Sequence, residues 1–237
     1  MNVRDNTTEA ILKLYAKYGL GRTLQICNRL LAETEVGSKD RESKNIIKGE
    51  LAEVSLECIL LTLQDRLNFQ TAILKSIFVE DTYSDLVTEL DLTFITPYAI
   101  YLFECKSYSG KNKTVRGECE LFRENESIRD VTSQNKLHLN LFNRKYGGFV
   151  RKGSKPYRVI VYDYASEKFK DKRKPEYKRK MPVLNQDSVV DWVVADLKTS
   201  QQFEISVDVV NMVNQIEKDC KAYDKIYGKR HREQLGY

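Results

Sequence analysis

The sequence predicts a mixed α/β domain, in which helices pack in layers on a β-sheet. Three observations support this class: helical apolar periodicity, short β-branched and aromatic runs, and alternation of the two along the chain. Of the 237 residues, 41% are hydrophobic and 10% are aromatic, so the chain is long enough to bury one good core.

Residues 1–44 are predicted to form an N-terminal helical appendage. Between residues 7 and 35, apolar positions recur at helical spacing on both sides of Gly19-Leu20-Gly21, which should divide the segment into two helices. The polar segment 36–44 that follows is typical of a linker. These helices carry no recognisable chemistry, so we expect them to pack against the core or to self-associate.

Residues 45–200 are predicted to form the main domain. Apolar residues from Ile47 to Leu61 form one stripe of its first helix, and a strand over 72–79 and a hairpin over 88–106 follow. The remaining elements are a loop with one short strand, a helix, a strand, a short strand and a helix, over residues 110–122, 129–145, 157–162, 181–184 and 187–198. A helix from about 206 to 228 makes residues 201–237 a C-terminal addition.

Charge and cysteine usage indicate a cytoplasmic protein. The net charge is +5, which permits a polyanionic partner without requiring one. The five cysteines are scattered and form no Cys-x-x-Cys pair, as expected of reduced thiols rather than a disulfide frame or a zinc site. No apolar leader and no run of about 20 apolar residues is present, so neither secretion nor a membrane location is expected.

The predicted hairpin carries the chemistry. Asp91 lies on its first strand, Glu104 and Lys106 end its second, and pairing of the strands should bring the two carboxylates side by side. Carboxylates are the hard oxygen ligands that Mg²⁺ prefers. Lys106 shares a face with Glu104, because side chains two residues apart on a strand point the same way. A metal held by two acids beside a cation is suited to hydrolysing a phosphodiester.

Each acidic candidate also has a purely structural interpretation. Glu-x-Lys arises by chance in a chain that is 31% charged, and Asp91 could pair with a surface lysine. A charge within so apolar a strand nevertheless needs a partner or a metal. Glu50, Glu53 and Glu57 could line a solvated helix face, which is our preferred interpretation for Glu57. We interpret His138 as a packing residue of its helix.

Four segments together resemble the NERD (nuclease-related) domain, a family within the PD-(D/E)XK nuclease superfamily. They are Lys48–Glu53, Thr88–Asp91, Phe103–Gly110 and Ser133–Asn135 followed by His138. The resemblance covers roughly residues 45–200 and implies a restriction-endonuclease-like mixed β-sheet flanked by helices. Two departures, Ala52 for the usual glycine and Leu92 for the usual histidine, remove no catalytic acid.

The resemblance implies a role for each charged residue of the hairpin. Asp91 and Glu104 would ligate Mg²⁺ or Mn²⁺, with the main-chain carbonyl of Cys105 as a further oxygen. Lys106 would orient the attacking water or help deprotonate it, and would stabilise the pentavalent phosphate. The implied activity is that of a Mg²⁺-dependent deoxyribonuclease, a phosphodiester hydrolase.

Two helices would complete the implied site. Glu53 would reach the metal through a water from the first core helix. Glu50, one turn earlier, is a rival for that place, and Glu53 is preferred. Gln134 matches the family's glutamine, which lies on the later helix beside the site.

A basic stretch over residues 151–180 indicates a nucleic-acid contact. It holds twelve Lys and Arg against four Asp and Glu, with aromatic residues interleaved, which suits backbone contacts and base stacking. The alternative is a solvated loop over 168–180. The candidate nucleic-acid-binding residues are Arg151, Lys152, Lys155, Lys172, Arg173 and Lys174.

The leading prediction is therefore a metal-dependent nuclease acting on DNA, with RNA left open as a substrate. The first alternative is a catalytically inactive nucleic-acid-binding module. The second is a regulatory subunit of a defence or mobile-element system, in which the terminal helices contact a partner protein or another copy of the chain.

Overall fold

The predicted α/β fold, a mixed sheet between helices, is confirmed. The computed structural model describes residues 3–37, 41–81, 83, 86–108, 110–165 and 168–220. Its helices are α1 (Val3–Gly37), α2 (Arg41–Gln64), α3 (Thr132–Tyr146), α4 (Pro175–Lys180), α5 (Val189–Ser200) and α6 (residues 209–220). Its strands are β1 (Ala72–Glu80), β2 (Val87–Ile95), β3 (Ile100–Lys106), β4 (Thr114–Arg116), β5 (Glu120–Arg123), β6 (Glu126–Asp130), β7 (Tyr157–Asp163), β8 (Lys170–Asp171) and β9 (Val183–Asn185).

The central sheet has the order β1-β2-β3-β7-β9. β1, β2 and β3 are antiparallel neighbours, so the predicted hairpin is present, and its turn is closed by Thr96, whose Oγ1 accepts the N–H of Ala99 at 2.9 Å. β3, β7 and β9 run parallel, and the chain crosses from β3 to β7 by way of α3. The carboxyl ends of β3 and β7 therefore lie side by side, which is where Lys106 and Asp163 face each other in register.

Helices cover both faces of this sheet. Tyr101 and Phe103 belong to a core formed with α1, α2 and α5, whereas Ile100 and Leu102 belong to a core formed with α3 and α6. Alternate residues of β3 thus enter opposite cores, so a strand with no polar face is required. This explains the uninterrupted apolar run before Glu104.

A second sheet was not expected from the sequence. In place of one short strand over 110–122, β4, β5, β6 and β8 form a four-stranded sheet in the order β6-β5-β4-β8. Glu124 and Asn125, both with positive φ, form the tight turn between β5 and β6. Val115 and Leu121 of this sheet pack with Val161 of β7. Strands of two to five residues are too short to show a clear alternation, which is why the pattern was missed.

The terminal helices pack on the cores. Gly19, with φ 72°, interrupts α1 where the glycines predicted a break, and Ile11, Cys27 and Leu31 join the core of α2. α6 contributes Met212 and Ile216 to the opposite core, and the last part of the predicted C-terminal helix, residues 221–228, lies outside the described residues. The division at 44 and 200 stays a prediction. None of the described helices has the length and apolarity needed to cross a bilayer.

Candidate active site

The antiparallel hairpin brings Asp91 and Glu104 together. Leu92 pairs with Phe103, so the next position of the ladder places Asp91 opposite Glu104. The backbone N–H of Cys105 donates to Asp91 Oδ2 at 2.6 Å, which fixes the Asp91 carboxylate against β3. Glu104 is only 1% exposed and forms an ion pair with Lys106. The predicted acid pair and its lysine are therefore one contiguous cluster.

Strand β2 changes face at Asp91. Leu90 packs in the α3 core, whereas Leu92, two residues later, packs in the α2 core, although strict alternation would put both on one face. The residue opposite Asp91 is Ser76, whose φ of 51° is in the left-handed region, and the ladder passes from Lys75–Leu92 to Ile77–Leu90 across it. This irregularity lets side chains from both layers of helices approach the Asp91 carboxylate.

Glu53 approaches this carboxylate from α2. It is buried, and its negative charge is one of the groups that raise the pKa of Asp91. Glu50 lies one turn earlier and accepts a hydrogen bond from Thr8 Oγ1 at 2.6 Å. Lys75 Nζ is 3.4 Å from Oε2 of both glutamates. The closer electrostatic link of Glu53 to Asp91 favours Glu53 over Glu50 as the acid that α2 contributes.

The prediction that Glu57 lies on a solvated helix face is wrong. Glu57 is partly buried, and burial raises the pKa of its carboxyl group. The charge of Lys75 opposes that rise and the charge of Glu50 adds to it. The three glutamates of α2 therefore form an acidic row that faces β1, with Lys75 as its counter-charge.

The hairpin acids outnumber their lysine. Burial raises the pKa of Asp91 well above its ordinary value, the neighbouring charge of Glu104 raises it further, and Lys106 only partly offsets these effects. Burial opposes the charged form of Lys106, but Glu104 and Asp91 outweigh it and raise the pKa of the ammonium group. Carboxylates that raise each other's pKa in a buried place are stabilised by an additional cation.

His138 is a site residue that sequence reasoning missed. It was expected to be a packing residue of α3, and it is indeed 2% exposed, but its Nδ1 lies 3.4 Å from Glu104 Oε2. The signal was available, since His138 is one of two histidines and follows Gln134 by one helical turn. α3 thus presents a polar group to the acid pair from the face opposite α2.

Gln134 lies on the same side of α3 as His138. It is half-buried, and its Oε1 accepts a hydrogen bond from Arg129 Nη2 at 3.3 Å. Its role beside the reacting phosphate stays a prediction.

Asp91 and Glu104 supply carboxylate oxygens, the ligand type that Mg²⁺ and Mn²⁺ prefer. Within the described residues, no three or more His, Cys, Asp and Glu side chains are grouped so that they could hold a metal. Mg²⁺ does not need such a cage, because it commonly binds one or two carboxylates and fills its remaining positions with waters and substrate phosphates. Asp91, Glu104 and the carbonyl of Cys105 are the protein oxygens that could hold it.

The six basic candidates do not form one surface. Arg151, Lys152 and Lys155 line a cleft beside the amino end of β7, and Lys172 and Lys174 are exposed next to β8. Arg173 corrects the prediction of a nucleic-acid contact. Its side chain is fully buried, is bonded to Asp171 through Nε and Nη2, and donates from Nη1 to the carbonyls of Glu118 and Met181. Arg173 therefore holds the second sheet to the segment before β9.

A second buried lysine was also missed. Lys113 is completely buried, with Nζ 3.2 Å from Asp163 Oδ2 and 4.3 Å from the centre of the Phe169 ring. Burial raises the pKa of Asp163 to about 6, and the charge of Lys113 opposes the rise. Because Asp163 is the register partner of Lys106, this pair borders the acid cluster on β3.

Comparison with known proteins identifies one similar family and one similar solved structure. Residues 48–163 match the family model of the nuclease-related domain, NERD, and a search of curated proteins finds no match. Among solved structures, the chain is similar to the crystal structure of protein VC1899 from Vibrio cholerae, with 13% sequence identity and a TM-score of 0.41 over 83% of this chain. The alignment spans 50% of that protein's length. The segment that matches the nuclease-related domain, residues 48–163, carries Glu53, Asp91, Glu104 and Lys106.

Proposed function

We propose that this protein is a metal-dependent nuclease that hydrolyses phosphodiester bonds of DNA. The observation that carries the proposal is the buried cluster of Asp91, Glu104 and Lys106 at the end of the β2–β3 hairpin, with an excess of acid over base. The match of residues 48–163 to a nuclease-related domain supports the same reaction class.

Each residue of the cluster would have a separate role in the reaction. Mg²⁺ or Mn²⁺ bound by Asp91, Glu104 and the Cys105 carbonyl would neutralise the scissile phosphate and lower the pKa of a bound water. Lys106, which Glu104 and Asp91 keep in its ammonium form, orients the attacking water, and its positive charge stabilises the charge that develops on the phosphate. Glu53 reaches the same place through a water from α2, and Gln134 contacts the substrate from α3.

The test is cleavage of supercoiled plasmid and of end-labelled single strands by the purified chain in Mg²⁺, Mn²⁺ or EDTA. We expect metal-dependent cleavage that falls by at least about a hundred-fold in Asp91→Ala and Lys106→Ala. Glu53→Gln and Glu50→Gln form a matched pair on one helix, and only the first should slow cleavage. Asp91→Ala protein that is folded and still cuts at the wild-type rate would overturn the assignment.

A second candidate is a nucleic-acid-binding module that does not cut. It is favoured by the ion pairs that already engage three of the acids, from Lys106 to Glu104 and from Lys75 to Glu50 and Glu53. It predicts DNA binding that is the same in Mg²⁺ and in EDTA, with no cleavage in either. Cleavage that needs metal and is lost in Lys106→Ala excludes it.

A further inference from the structure

A cleft of about 690 Å³ opens at the amino end of β7. The acid cluster lies at the other end of these parallel strands, where β3 and β7 have their carboxyl ends. One wall is the loop before β7, with Arg151, Lys152 and Lys155, and the other is the segment between α5 and α6, with Phe203 and Glu204. The second wall lies beyond residues 48–163, so the nuclease-related domain alone does not form the cleft.

The walls are held in place by the backbone. Arg151 N–H donates to the Ser206 carbonyl at 2.8 Å, and Ser206 N–H donates to the Pro97 carbonyl at 2.9 Å. Val150 and Val207 form an antiparallel bridge just below these bonds. The cleft is therefore organised before any ligand arrives, which lowers the entropic cost of binding.

The lining combines positive charge with two aromatic rings, Phe203, which is exposed, and Tyr98, which is half-buried. Lys152 and Lys155 are exposed and have no ion-pair partner within the part of the chain that the structure describes. Phe203 is 70% exposed, so its ring face is open to a ligand, and the Tyr98 ring contacts the Phe69 ring edge-on at a centroid separation of 5.3 Å. Cations beside accessible rings suit a polyanion whose bases are unpaired and free to stack.

Two carboxylates form ion pairs with two of the arginines that line the cleft. Arg151 forms an ion pair with Glu204 at the mouth of the cleft. Arg158 donates to both oxygens of Asp196, at 2.9 and 3.0 Å, and so belongs to the scaffold. Lys152 and Lys155 are the cations left to meet a ligand, and Glu204 opposes an anionic one.

We propose that this cleft is a second nucleic-acid contact, which holds an unpaired stretch of the substrate strand away from the point of cleavage. The inference deepens the proposed nuclease function. From Ile100, which bonds to Pro156 at the cleft, Glu104 lies four residues along β3, roughly 13 Å away at about 3.3 Å per residue. A single nucleotide therefore cannot occupy both places, and the contact requires a strand of several nucleotides.

The experiment measures binding of labelled oligothymidylates, from about 3 to about 20 nucleotides, to the full chain in EDTA, where no cleavage is needed. Phe203→Ala should weaken binding of the long strand by at least about five-fold, and Phe203→Trp should restore it. Lys152→Gln with Lys155→Gln should lower the slope of log affinity against log salt by about 1.4. Glu204→Gln should tighten binding by about two- to five-fold.

The control is Lys198→Gln with Lys218→Gln, which removes the same charge from two exposed lysines outside the cleft and should leave the affinity within two-fold. Unchanged affinity in Phe203→Ala, or an equal loss for a blunt duplex, overturns the cleft assignment. Strong, cleft-dependent binding by a chain that never cuts would contradict the nuclease and leave the cleft assignment standing.

Discussion

Two lysine–carboxylate pairs lie side by side at the carboxyl ends of β3 and β7, and their balance of charge differs. Lys113 faces Asp163 and the Phe169 ring, with one positive and one negative group and no exposure of the lysine. Lys106 pairs with Glu104 but is 14% exposed, and Asp91 adds a second carboxylate. The matched, sealed pair balances its own charge, whereas the unmatched, accessible one keeps an excess of negative charge.

The difference also shows how a charge near a strand end should be interpreted. A buried ion pair is costly to desolvate and persists where removing either partner would be worse. A group of buried acids in excess is unfavourable by itself and indicates a site whose function needs it. Measurements of stability distinguish a balanced structural ion pair from a functional cluster with excess acid.

The largest effect on stability is expected at the sealed pair. Lys113→Met should lower the free energy of unfolding by about 3–5 kcal/mol, because it leaves the Asp163 carboxylate buried without its counter-charge. Urea unfolding followed by circular dichroism measures the change. Lys113→Met combined with Asp163→Asn should recover most of the loss. A single variant within about 1 kcal/mol of wild type would show that the pair is not a structural one.

The next effect is a pH dependence from the same pair. Because burial raises the pKa of Asp163 to about 6, above its ordinary value of 3.8, the folded state holds that proton more tightly than the unfolded state. The resulting stabilisation is present below pH 4 and is lost as the pH rises to about 6, by about 3 kcal/mol. As the pH rises from 4 to about 6, the free energy of unfolding of the wild type should fall by about 3 kcal/mol relative to that of Asp163→Asn. If the two proteins show the same pH dependence, Asp163 does not have the raised pKa.

The smallest effect, and one of opposite sign, is expected at the acid cluster. Asp91→Asn keeps an acceptor for the Cys105 N–H but removes the repulsion from Glu104. The free energy of unfolding without metal should stay equal or rise by roughly 1 kcal/mol, as is common when a functional charge is removed. Thermal melts in EDTA measure it. A loss of stability comparable to that of Lys113→Met would make Asp91 a structural residue.

Much of the fold could be predicted from local pattern. The hairpin, β7, α3, α5 and the break at Gly19 each have a strong periodicity or a turn signal, and the structure has them within a few residues of the predicted bounds. The second sheet escaped prediction because its strands are short and their pairing is not local. Glu57 and Arg173 were misjudged for the same kind of reason, since a charged residue in a charged segment carries no local sign of burial.

Local sequence is enough to predict the α/β class, the hairpin and the pairing of Asp91 with Glu104, because these depend on contacts between residues close along the chain. The surroundings of that pair depend on packing between distant segments: the change of face at Asp91, the approach of Glu53 from α2 and of His138 from α3, and the burial of Lys113 against Asp163. Tertiary packing also divides the basic stretch into a cleft, an exposed edge and the buried Arg173. The burial and the charge balance of these side chains depend on contacts with segments distant in sequence, so a local sequence pattern cannot predict them.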